Sequence, residues 1–188
     1  MELLKLNQPV NVDDIDFRVQ SITQSGWATI LAYKDARYDM NILDSVIGPG
    51  LWQKDYKIID DRLYCGVGIF INDQWVWKWD VGTESQTEKE KGQASDAFKR
   101  ACFNWGIGRE LYDFPYIGVQ LNDAEYYTKQ AGSKTIGVAT SKLRLRDWKW
   151  YVERENGTIS YIACKDANKK VRFQHGQYKR MKEELNNG

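Results

Sequence analysis

Three tryptophans at alternate positions, Trp75, Trp77 and Trp79, follow a segment in which Gly66 and Gly68 are also two residues apart. Between the two segments stands Asn72-Asp73, residue types that tolerate positive φ and close two-residue hairpins. Counting outward from that turn sets Phe70 opposite Trp75, Gly68 opposite Trp77 and Gly66 opposite Trp79. Each glycine then leaves room for an indole lying across the neighbouring strand. Residues 62–71 and 74–81 are therefore expected to be strands, with a first strand over 51–59. The other face of the hairpin carries Cys65, Val67, Ile69 and Val76, interrupted by Lys78. Both faces are largely apolar, and one helix covers only one of them. A second cover is needed, either another helix or a neighbouring subunit.

The next stretch, GTESQTEKEKGQASDAFKRACFNWGIGRE at 82–110, supplies the first cover. Ala94, Phe98, Ala101 and Trp105 fall at i, i+4, i+7 and i+11, one apolar stripe of a helix. Thr87 can cap the first turn, Glu88 and Glu90 suit the positive end of the helix dipole, and Gly106 with Gly108 stops it. The spacing predicts a helix from about 88 to 105. Lys91, Ser95, Lys99 and Arg100 lie off the stripe and give it a basic face. Such a face is most often merely solvated. Here, however, Lys99 and Arg100 have only Asp96 nearby as a partner, where a solubilising face would interleave signs.

Upstream, Val12, Ile15, Val19 and Ile22 share a helical face, with Asn11 or Asp13 as cap, which predicts a short helix over 13–22. GWATILAY reads as a strand. Asp35 is a fair N-cap for a second helix with Ala36, Met40, Leu43 and Ile47 on its buried side, Arg37, Asn41 and Asp44 on its polar side, and Gly48-Pro49-Gly50 as its stop. Downstream of Tyr112 the chain has weak periodicity and is read as a linker or peripheral segment, with a boundary near 130–141. Residues 143–174 then suggest two or three short strands turning at 155–157 and 166–168, and the last residues a polar helix or frayed tail. The fold class expected is α+β: an antiparallel β-β-β-α core with preceding helices over 1–130, and a small basic β-rich appendage over 131–188.

Net charge is only +1, but its distribution is uneven. Residues 1–60 carry 6 basic and 9 acidic side chains, 61–132 carry 8 and 11, and 133–188 carry 13 and 6. The last third is thus the basic part. Cys65, Cys102 and Cys164 show no CxxC, and His175 stands far from all three, so neither a zinc site nor a disulfide framework is expected and the thiols suit a reducing cytosol. No secretory segment opens the sequence and no apolar run is long enough for a bilayer span. There is no phosphate-binding GxxxxGK[ST] loop and no credible nucleophile–histidine set, so no catalytic residues, metal or cofactor are expected. A metal-dependent nuclease could be sketched from Asp61, Asp80, Glu88 and Lys89, but Glu88 and Lys89 fall at a helix start rather than on adjoining strands.

The run WDVGTES…EKEKGQASDAFKRACFNWGIGRELY resembles the core of phage Sak-type recombinases, relatives of the eukaryotic Rad52 single-strand annealing proteins. The blocks DIDFR at 14–18 and GWATILAYKDARYDMNILDSVIGPGLWQ at 26–53 resemble the phage branch in the right order, so the likeness spans roughly 12–115. It implies a β-β-β-α core, metal-independent and ATP-independent annealing of single-stranded DNA, and assembly into a closed ring with a DNA groove around it. A phage or host single-strand binding protein is a candidate partner, and the cytoplasm of a bacterial host the expected location.

Binding a single strand requires fixed cations for its phosphates, and aromatic surfaces can hold its bases. Lys99 and Arg100 on the central helix and Arg37 on the second helix can supply the cations. The resemblance matches Lys99 and Arg100 to the family's groove pair and Arg37 to its groove arginine. It also matches Arg62, Lys89 and Lys91 to a secondary DNA site, for which ordinary surface charge is an equal alternative. Arg18 and Arg109 are open between phosphate contact and an internal bond, for instance to Glu110 or Asp113. Asp96 is expected to orient Lys99 and Arg100. The tryptophan row is expected to be packing, with a base-stacking platform as the alternative. The competing reading of the whole chain is a single-strand binding module that protects without annealing.

Overall fold

The structure is a computed structural model that describes residues 3–83 and 89–176, and of residues 89–91 the backbone alone. In chain order the elements are β1 (Asp16–Ile22), β2 (Trp27–Tyr33), α1 (Ala36–Val46), β3 (Trp52–Ile59), β4 (Arg62–Ile71), β5 (Gln74–Val81), α2 (Lys89–Asn104), β6 (Ile117–Gln120), β7 (Tyr126–Ala131), β8 (Lys134–Ala139), β9 (Lys149–Glu155), β10 (Thr158–Lys165) and β11 (Val171–Gly176). The strand pairs are antiparallel and the fold is α+β. Among the described residues no helix is long and apolar enough to cross a membrane. The chain divides into two compact units, one of Met1–Val10 with Lys34–Arg109 and one of Asn11–Tyr33 with Glu110–Gly188. This division does not coincide with a boundary near residue 130, because β1 and β2 pair with strands that follow residue 110.

In the first unit, β3, β4 and β5 form a meander closed by Asp60-Asp61 and Asn72-Asp73, all four residues at positive φ as tight primed turns require. The register is the one expected: Gly66 faces Trp79, Gly68 faces Trp77, and Phe70 faces Trp75. A β-carbon at Gly66 would stand 2.5 Å from the Trp79 indole, and one at Gly68 would stand 2.8 Å from that of Trp77, so only glycine fits. The indoles of Trp77 and Trp79 stack with centroids 5.6 Å apart. On the other face Cys65, Val67 and Ile69 are fully buried with Phe98, Ala101, Cys102 and Trp105 of the α2 segment. Leu43 of α1 and Ile47, the C-cap that follows it, belong to that same cluster. Within this unit both helices therefore serve one face of the sheet, and the tryptophan face is left to other cover.

α1 begins where Asp35 accepts from the Arg37 backbone N–H at 2.8 Å, as its sequence predicts. The expected Thr87 cap of α2 lies outside the described residues. The other end of α2 is fixed by two cations: Lys78 Nζ donates to the Asn104 carbonyl at 2.8 Å, and Arg109 donates to the carbonyls of Phe103 and Asn104 at 2.9 and 3.0 Å. Positive groups at a helix C-terminus satisfy its orphan carbonyls and oppose its dipole. That is why Lys78 interrupts an apolar face.

The second unit corrects two expectations. Residues 13–22 are not a helix: Asn11 caps a single 3-10 turn over Val12–Asp14, and β1 follows. A bulge between Val19 and Ser21 shifts the alternation, so inward residues Phe17, Val19 and Ile22 are spaced by two and then three, which mimics a helical stripe. Nor are residues 116–141 a linker, since they contain β6, β7 and β8, which join β1 and β2 in a five-stranded sheet ordered β6-β2-β1-β8-β7. The expected C-terminal strands are β9, β10 and β11, a separate three-stranded sheet. Ile22, Ala28, Ile30, Ile117, Val119, Trp150, Ile162 and Cys164 form the core, and Phe17 stacks on Trp150 at 3.6 Å with rings 5° from parallel.

Candidate nucleic-acid interface

Arg37 stands in the first turn of α1, bonded to the N-cap Asp35. Arg37 Nε donates to Asp35 at 2.9 Å, and the Arg37 side chain is 82% exposed. The bond to Arg37 and, more weakly, the charge of Lys99 both hold the Asp35 carboxyl below its usual range, which places the α2 lysine within electrostatic reach of the α1 N-cap. Lys99 also acts on Asp39, one turn further along α1.

Arg100, the next residue of α2, donates from Nε to Asp96 at 3.1 Å. Asp96 also accepts the N–H and hydroxyl of Thr83 at 2.9 and 2.8 Å. Burial works to raise the Asp96 carboxyl, but the Thr83 bonds and Arg100 outweigh it and hold the group below its usual value. Asp96 therefore positions Arg100 and ties the end of β5 to α2.

Arg62 is exposed at the start of β4, and strand alternation from Gly66 puts it on the tryptophan side of the sheet, away from the face that α2 covers. Lys57 is on that side as well, with Nζ 4.3 Å from the Trp79 ring. The side chains of Lys89 and Lys91 lie outside the described residues. Arg109 is accounted for by its helix-capping bonds, and Glu110 pairs instead with Arg154 at 2.7 Å. Arg18 sits 5.4 Å over the Tyr33 ring. The sketched nuclease set loses a free member, because Asp80 accepts from Asn104 Nδ2 at 3.1 Å and from the Val81 N–H at 2.8 Å.

Three residues of this region were not singled out by sequence. Lys54 is exposed on β3, and its Nζ lies 4.9 Å from the Phe98 ring of α2. Its parity with Trp52 and Tyr56 would have placed it on the helix side. Lys34 and Asp39 form an ion pair buried to 7% and 0% side-chain exposure, directly beneath the turn ending α2, where a β-carbon at Gly108 would collide with the Lys34 side chain. Asp39 Oδ2 has no hydrogen-bond partner among the described residues, and burial pushes its carboxyl up to about 6 against the pull of Lys34. A lysine in an apolar strand and an aspartate on the buried side of a helix are ordinarily read as errors of pattern, and only the fold pairs them.

The fold defined here is an antiparallel β-β-β-α unit whose helix carries its cations beside a preceding helix. Residues 67–130, from the middle of β4 to the end of β7, match the family model of the Rad52/22 family double-strand break repair protein. This stretch is similar to the Rad52/22 family, and it overlaps the part of the sequence that carries the resemblance. Among curated relatives, the chain is 35% identical over 100 residues to the single-stranded DNA-binding protein DdrA of Deinococcus deserti, covering 52% of this chain and 49% of that one. It is 33% identical over 99 residues to DdrA of Deinococcus radiodurans, covering 52% and 47%. The chain spans about half the length of the curated relatives it matches.

Proposed function

We propose that this protein binds single-stranded DNA and anneals complementary strands without ATP, serving homologous recombination in a phage or prophage inside a bacterial cytoplasm. The observation that carries the reading is the match of residues 67–130, which hold Lys99 and Arg100 on α2, to the Rad52/22 family, with exposed Arg37 on α1 bonded to Asp35, a carboxylate that Lys99 reaches electrostatically. Lys54 over the Phe98 ring and Arg100 paired with Asp96 are further cations against or on α2. Complementary strands repel through their phosphates and fold on themselves; cations fixed along a groove neutralise one backbone and hold it extended, so that pairing, itself downhill, proceeds without a fuel. Arg62, Lys89 and Lys91 are assigned to a secondary DNA contact, which for Arg62 is the tryptophan side of the sheet.

One small unit cannot hold a long strand, so the active form is a closed ring. The support for this is the sheet face carrying Trp75, Trp77 and Trp79, which neither helix of its unit covers. A single-strand binding protein of phage or host would deliver the substrate. The Deinococcus relatives, described as single-stranded DNA-binding proteins, favour a second reading, a single-strand binding protein that protects without annealing.

The test is an annealing assay with two complementary labelled oligonucleotides, without ATP, in EDTA and in magnesium. Faster pairing in both arms is the expected result. Binding without acceleration establishes the protective module, and strand shortening only in magnesium establishes a nuclease.

A further inference from the structure

We infer that the β7–β8 hairpin is a second single-strand contact, a basic ribbon that stacks a base on Tyr127 and neutralises phosphates with Lys129 and Lys134. This goes beyond the groove reading, and its residues belong wholly to the second unit. From 126 to 146 the sequence holds five cations, Lys129, Lys134, Lys142, Arg144 and Arg146, and no carboxylate. Arg144 and Arg146 turn to Asp147, whereas among the described residues Lys129 and Lys134 make no ion pair.

The geometry makes the hairpin a projecting arm. β8 meets a third strand only where Gly137 pairs with Ile22, so among the described strands residues 129–136 pair only with each other. Residues 127–134 are all exposed. The register puts Tyr127 opposite Val138, Lys129 opposite Ile136 and Ala131 opposite Lys134, so these six share one face. The opposite face is the inward one: Tyr126 packs on the core and covers Gly26, while Gln130 bonds Gly132 and Thr135 and stiffens the arm. The outward face therefore combines a tyrosine 52% exposed, an isoleucine 40% exposed and two lysines.

That chemistry selects the ligand. A surface of cations without carboxylates attracts a polyanion, and an exposed ring between them offers a stacking surface that only unpaired bases can use. Tyr127 and Lys129 are about 7 Å apart along the strand, within the reach of one nucleotide. A single strand fits both features, whereas a duplex or an acidic surface uses the lysines alone.

The experiment uses the full chain and its Lys129→Ala/Lys134→Ala and Tyr127→Ala variants, with a labelled oligo-dT, a duplex of the same length and phosphatidylserine vesicles as separate probes over a salt series. Because the arm is exposed, thermal melts of the variants should match the parent. The expected result for oligo-dT is a salt slope smaller by about 1.4 in the double lysine variant, about 0.7 for each phosphate left without its lysine. Tyr127→Ala should weaken oligo-dT binding and leave duplex binding unchanged. Ultraviolet crosslinking to iodouracil-substituted oligo-dT should label the peptide containing Tyr127. An unchanged slope with no crosslink at Tyr127 overturns the inference, as does a loss confined to duplex or to vesicles. Lys99→Ala measured in parallel separates this outcome from a failure of the groove, since each set of cations then reports its own slope.

Discussion

Thr83, two residues past β5, and Asp96, inside α2, are joined by two hydrogen bonds to one carboxylate oxygen, at 2.9 and 2.8 Å. The same oxygen holds Arg100 at 3.1 Å, so one group both closes the strand-to-helix connection and offsets the charge of Arg100. Asp96→Ala should therefore have opposed effects: tighter binding of oligo-dT and a lower melting temperature at neutral pH. The carboxyl is held below its usual value in the folded protein, so its contribution to stability is present at neutral pH and lost as pH falls through the carboxylate range. Parent and variant should converge in acid, as read by thermal melts across pH.

Lys99→Ala and Arg37→Ala should each weaken oligo-dT binding and reduce its salt slope by about 0.7, with unchanged melting temperature. Arg37 is highly exposed, so truncating it leaves no buried partner behind. Fluorescence anisotropy over a salt series checks both, and an unchanged slope for either removes that residue from the groove.

Gly68→Ala places a methyl group against the Trp77 indole, 2.8 Å from its nearest atom. Overpacking of this kind costs about 1 to 3 kcal/mol. Urea denaturation should show that loss, and Trp77→Ala in the same chain should remove the clash, leaving the double variant's loss short of the two single losses added together.

Asp39→Asn leaves the Lys34 ammonium buried without its counter-charge, which costs about 3 to 5 kcal/mol, whereas Lys34→Met with Asp39→Leu should be nearly neutral. The pH effect runs opposite to that of Asp96. Burial raises the Asp39 carboxyl to about 6 from 3.8, so the folded state holds the proton longer, and this contribution is full below 3.8 and lost as pH rises through 6. The parent should lose stability from this group between those values, and the Met/Leu double variant should lack that step.

Phe98→Ala empties a position 1% exposed at the centre of the first unit, beneath Lys54 and against Trp52. A loss of about 3 to 5 kcal/mol is expected by urea denaturation.

The legible parts of the fold were those specified locally. Asn72-Asp73 sets a register, Asp35 caps α1, and the Phe98 stripe aligns α2, each through residues close in sequence. Residues 13–22 misled because the bulge after Val19 gives a strand the spacing of a helix. β7 was hidden because it is an exposed edge strand whose identity comes from pairing with β8 rather than from apolar alternation. Charge counting was similarly blind to use: Arg172, 4% exposed in its side chain, and Arg154 are spent on Glu125, Asp166 and Glu110, so the basic excess of the last third is partly internal. In the candidate site, Lys99, Arg100 and Arg37 could be named from helix faces, but Lys54 and the Lys34–Asp39 pair depended on contacts between elements distant in sequence.

The second unit is built from two separated stretches, with residues 34–109 lying between them in the chain. During synthesis β1 and β2 leave the ribosome long before β6, which begins 84 residues after β2 ends. At ordinary elongation rates that interval is on the order of ten seconds. Over that time the β1–β2 hairpin has both outer edges unpaired while the first unit can already fold. A nascent chain stalled within α2 should therefore present an open strand edge that the finished protein closes with β6 and β8.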